Sequence, residues 1–71
     1  MDRQFNKQIG AIIKDKRIDK RLTQTQVAKF LGIPTSTYAC YESGLRGMSI
    51  DTYFKICYEL DMDPNIAETL I

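Results

Sequence analysis

The sequence contains no histidine. That removes the nucleophile–base arrangements that rely on imidazole and every metal site that needs it as a ligand. Cysteine is scarce too. Cys40 and Cys57 are the only two, too few for a disulfide framework and without histidines to join them in a zinc site. Both read as reduced thiols of a cytoplasmic protein. Long apolar runs are missing: the longest, Ile9-Gly10-Ala11-Ile12-Ile13, falls far short of the ~20 residues of a membrane span. Asp2, Arg3 and Lys7 leave no apolar core for a signal peptide at the N-terminus. No stretch alternates apolar and polar residues long enough for a strand. With 71 residues the chain is expected to form one domain, 1–71, with a thin stability margin and little room for a buried active site. Neither an enzyme nor a cofactor is expected.

What is present is unevenly charged. The formal net charge is only +1. Residues 1–21 carry Arg3, Lys7, Lys14, Lys16, Arg17, Lys20 and Arg21 against Asp2, Asp15 and Asp19. From residue 49 onward Lys55 stands against Asp51, Glu59, Asp61, Asp63 and Glu68. A basic end and an acidic end suit one face offered to a polyanion and another kept away from it, although an ordinary solvated surface has the same composition.

Apolar spacing predicts five short helices. Phe5, Ile9, Ile12 and Ile13 recur at helical intervals from about Arg3 to Arg17 or Ile18. Thr23 with Gln26 three positions later forms a capping box for a second helix, whose apolar face is Val27, Ala28, Phe30 and Leu31 and whose stop is Gly32. A third helix begins at Pro34 or Thr35, turns Tyr38 and Tyr41 inward and ends near Ser43, with Gly44 as its left-handed cap. Ser49 caps a fourth, with a broad stripe of Ile50, Tyr53, Phe54, Cys57, Tyr58 and Leu60. Asp63-Pro64 opens a fifth that runs to about Leu70. The expected fold is all-α, a compact bundle.

Two short helices joined by a glycine turn, at about 23–44, are the unit with which many proteins read the major groove. The run Leu22-Thr23-Gln24-Thr25-Gln26-Val27-Ala28-Lys29-Phe30-Leu31-Gly32-Ile33 continues through Ser36-Thr37-Tyr38 and Tyr41-Glu42-Ser43-Gly44 to Leu60. It resembles the phage-repressor (Cro-like, lambda-repressor-like) helix-turn-helix family over about Ile9 to Glu68. The resemblance implies a DNA-binding regulator with its recognition helix at roughly Thr35 to Glu42.

It also implies roles for particular residues. Thr35, Ser36, Ala39 and Cys40 stand where relatives touch base edges. Arg17, Gln24, Thr37, Ser43 and Arg46 stand where relatives hold phosphates, joined by the Gly44 and Gly47 amides. Arg17 and Glu42 match a pair that ties the first helix to the end of the third. The reading face departs from stronger members in having no Gln, Asn or Arg, so the bidentate pairings that separate guanine from adenine are missing. Weak direct readout, helped by DNA shape, is the expectation. Cys40, a thiol on the reading face, could switch binding off if oxidised.

One such helix covers few base pairs, so a homodimer on a palindromic operator in double-stranded DNA is expected. The expected pairing surface is residues 49–70, with Tyr53, Tyr58, Met62, Ile66, Leu70 and Ile71. The expected role is a bacterial or phage repressor, cytoplasmic and nucleoid-associated, with no membrane partner. A controller of a restriction-modification operon, and a protein-interaction module such as an antitoxin, are the alternatives.

Overall fold

Four α-helices and one 3-10 helix make up the computed structural model, which describes residues 3–70: α1 (Arg3–Asp19), α2 (Gln24–Leu31), α3 (Thr35–Ser43), α4 (Ile50–Leu60) and a C-terminal 3-10 helix (Pro64–Leu70). The described residues include no strand. The final segment was expected as an ordinary helix. It winds more tightly instead, as short terminal segments often do, and buries no residue fully. Ile71 lies outside the described residues.

Local chemistry fixes the helix ends. At α2 the Gln26 backbone N–H donates to Thr23 Oγ1 (3.1 Å) and the Thr23 N–H donates to Gln26 Oε1 (2.8 Å), completing the capping box. Ser49 Oγ caps α4 by accepting from the Thr52 N–H. All four α-helices stop through one device, a left-handed residue followed by an N–H that reaches back five positions. The bonds are Leu22 to Arg17, Ile33 to Ala28, Leu45 to Cys40 and Met62 to Cys57. Gly32 and Gly44 supply two of the left-handed residues. Arg21 (φ 59°) and Asp61 (φ 56°) supply the others, which the sequence did not signal.

The core gathers one face from each α-helix: Ile9 and Ile13, Val27 and Ala28, Tyr38 and Tyr41, and Ile56, Cys57 and Leu60. Met62 joins it from the following loop. Helix α3 packs on α1 and α2, while α4 packs on α2, α1 and the 3-10 helix. Gly10 sets the α1–α3 approach. A Cβ there would collide with the carbonyl oxygens of Tyr41 and Glu42, so the end of α3 rests directly on the backbone of α1.

The fourth helix corrects the expected stripe. Ile56 is fully buried, whereas Ile50, Phe54 and Tyr58 are exposed. At 100° per residue the buried arc runs through Ile56, Leu60, Tyr53 and Cys57, and the other three fall beyond what so small a core can cover. Phe30 is likewise half exposed although it was expected on the inner face of α2.

Candidate nucleic-acid interface

The outward arc of α3 presents small polar and apolar side chains. Ser36 and Ser43 are exposed, and Thr35, Ala39 and Cys40 are half-buried. Successive 100° steps bring all five within one arc of about 140° and send Tyr38 and Tyr41 to the other side, with Glu42 at the edge of the arc beside Thr35. Thr35 Oγ1 approaches Thr25 Oγ1 at 3.5 Å across the turn. Ser43 Oγ donates to the Cys40 carbonyl (3.2 Å). Thr37 is half-buried, and Arg46 extends from the exposed loop after α3.

Behind this face lies a polar lock. Arg17 Nε donates to Glu42 Oε2 at 2.6 Å and Nη2 donates to Oε1 at 3.2 Å. Gln24 Nε2 donates to the same Oε1 (3.0 Å), and Arg17 Nη1 donates to the Leu22 carbonyl (2.8 Å). One carboxylate near the end of α3 thus ties together α1, the following turn and the start of α2. Only 3% of the Glu42 side chain and 11% of that of Arg17 reach solvent. Burial alone would raise the Glu42 pKa, but the hydrogen bonds from Arg17 and Gln24 outweigh it and hold the carboxyl below its ordinary range. Burial pushes the Tyr38 phenol strongly up, so it stays neutral beside the pair.

This arrangement separates residues that sequence reasoning had grouped. Arg17 was expected both to pair with Glu42 and to reach a phosphate; in the free domain its guanidinium is spent on internal acceptors. Gln24 is likewise turned toward Glu42. The Gly44 amide was expected to face a phosphate, but it is buried and donates to the Cys40 and Tyr41 carbonyls at the end of α3. The Gly47 residue remains exposed. Both Lys29 and the Lys20–Arg21 pair stand on the surface, with Lys20 3.7 Å from Asp61 in an exposed ion pair worth little.

The expected pairing residues also divide. Met62 is only 7% exposed and belongs to the core, because the left-handed turn at Asp61 swings it back under α4. Tyr53 is half-buried and its hydroxyl donates to the Pro64 carbonyl (2.8 Å). Ile66 and Leu70 pack partly against the core, so only Tyr58 of the described set stands free of it. Cys57 is buried, and burial raises its thiol pKa. The described residues include no group of acidic, cysteine and histidine side chains that could hold a metal ion.

Residues 13–65 match the helix-turn-helix family model. The chain belongs to this family. The helix-turn-helix protein is also 38% identical over 62 residues to the ImmF control region 10 kDa protein of Bacillus phage phi105, an alignment spanning 87% of this chain and 69% of that one. No solved structure matches. Together these assign the chain to the phage-repressor-like branch of the family, and with it the broad role of a DNA-binding transcriptional regulator. The α2–turn–α3 unit lies within the matched region. No described helix is long and apolar enough to cross a membrane.

Proposed function

We propose that this helix-turn-helix protein is a repressor that binds a palindromic operator as a homodimer, with α3 in the major groove. The observation that carries the reading is the two-sided character of α3. Its inner side is held by the Glu42 lock, while Thr35, Ser36, Ala39, Cys40 and Ser43 remain on the outer side. A helix held rigidly with one face open suits insertion into a groove. The relative's printed association with a phage control region supports occupancy of a promoter as the mode of action.

Ala39, the Thr35 methyl and Cys40 suit apolar contact with thymine methyl groups, and Ser36 bonds a base edge without strong preference. Thr37, Ser43 and Arg46 are the phosphate contacts. Arg17 and Gln24 serve first to hold α3, so that their effect on DNA affinity is exerted largely through Glu42.

Selection of bound duplexes from a random library, followed by titration at several salt concentrations, tests the reading. The expected product is a palindrome whose half-site centres lie about 34 Å apart. Affinity should fall steeply with salt, and Arg46→Ala should lower that slope by about one. Ser36→Ala and Cys40→Ala should alter base preference and leave the slope unchanged. A protein that enriches no duplex would instead be an interaction module on this scaffold.

A further inference from the structure

Ile50, Phe54 and Tyr58 follow one another at four-residue intervals along α4 and form an exposed ridge. Ile50 is 69% exposed, Phe54 50% and Tyr58 81%. Along one flank of the ridge runs an apolar groove of about 250 Å³, lined by Phe5, Ile9, Met48, Ile50, Tyr53 and Phe54 among others. On the other flank lie Asp51 and Lys55, both exposed. Single apolar side chains on a surface need no explanation, but three in line beside an apolar groove mark a contact surface.

We infer that this ridge is where a second copy of the chain docks, with the two α4 helices antiparallel about a two-fold axis at Phe54. The inference rests on the homodimer reading above and names its surface, which is not the set of residues the sequence suggested.

Three observations select a second copy as the occupant. The first is self-complementarity. With Phe54 against Phe54, each Tyr58 comes to lie over the Ile50 of the other copy, because both are four residues, or about 6 Å of helix axis, from the centre. Tyr58 thereby covers the rim of the groove that Ile50 lines.

The second is charge. A two-fold axis perpendicular to antiparallel helices brings like flanks together. Asp51 lies three residues before the centre and Lys55 one after it, so along the axis each Lys55 falls about 3 Å from the other copy's Asp51 and about 3 Å from its Lys55. Two reciprocal opposite-charge pairs thus stand against one like-charge approach. Glu59 lies far enough around α4 from Phe54 to stay in solvent, so the acidic balance of this end does not oppose the contact.

The third is area. The three side chains expose on the order of 400 Å² per copy, about half of what a standard interface buries on each partner. That predicts a weak dimer, completed when both copies occupy one operator.

Sedimentation equilibrium over a concentration series, paired with titration of a palindromic duplex from the selection and its isolated half-site, tests the assignment. Phe54→Asp and Tyr58→Asp should each raise the dissociation constant at least tenfold, abolish cooperative filling of the palindrome and leave half-site affinity unchanged. Asp51→Lys alone should weaken association severalfold, and the Asp51→Lys/Lys55→Asp exchange should restore it. Tyr58 is so exposed that its variant decides the matter even if Phe54→Asp unfolds. A wild-type dimer that survives Tyr58→Asp at full strength overturns the ridge and leaves the homodimer reading intact. A wild type that stays monomeric at millimolar concentration and fills the palindrome without cooperativity overturns both.

Discussion

Arg17 and Glu42, 25 residues apart in sequence, meet through two hydrogen bonds at the back of α3, and Gln24 adds a third to the same carboxylate. The guanidinium fork supplies both N–H groups in one plane, which a lysine could not reproduce. Removing either partner strands the other charge in a nearly dry site. Arg17→Ala is therefore expected to cost about 3 kcal/mol, and Arg17→Lys to recover little of it. For a chain of this size that lowers the melting temperature by more than about 10 °C, as followed by circular dichroism. Melting within a few degrees of wild type would mean that the pair contributes no more than a surface contact.

Acid should weaken the same lock. The native Glu42 pKa is lowered, so as pH falls the unfolded chain takes up its proton before the native one does. Its contribution is fully present above the ordinary carboxylate range and is lost as pH drops through the lowered native value. Thermal melting from pH 7 down to pH 2 should show a steady loss of stability below about pH 4.5. Glu42→Gln, less stable at neutral pH, should lose less on acidification; an identical slope in both proteins would assign the acid sensitivity to other carboxylates.

Gln24→Ala separates bracing from phosphate contact. It removes one hydrogen bond to a charged group and should cost about 1.5 kcal/mol, roughly half the effect of losing Arg17. DNA affinity should fall with it, while the salt slope stays put. If the slope drops by about one, Gln24 reaches a phosphate directly once DNA is bound.

Gly10 offers a test in which two effects have opposite sign. In an isolated helix Gly→Ala stabilises by about 1 kcal/mol. Here the added methyl would meet the Tyr41 and Glu42 carbonyls, and α3 would have to move away. A net loss of 2 kcal/mol or more is expected. Stabilisation on calorimetry would show that α1 and α3 do not approach this closely in solution.

The helix starts, the two glycine stops and the Tyr38–Tyr41 inner face of α3 were legible in the chain because each depends on residues within a turn or so of one another. Thr23 and Gln26 cap α2 whatever the rest of the molecule does. The Arg17–Glu42 pair could be named only through resemblance to a family, since no local rule joins residues so far apart. The left-handed Arg21 and Asp61 were missed for the opposite reason. Neither residue type favours that conformation strongly enough to signal it by itself.

Charge asymmetry, helical periodicity and the glycine turn were thus determined by the sequence alone, and with them the class of regulator to which the chain belongs. Tertiary structure decided which surfaces are free. It spent Arg17, Gln24 and the Gly44 amide on internal bonds, took Met62 into the core, and left Ile50, Phe54 and Tyr58 outside. Periodicity says which residues share a helix face, but only the size and placement of neighbouring helices decide how much of that face is covered.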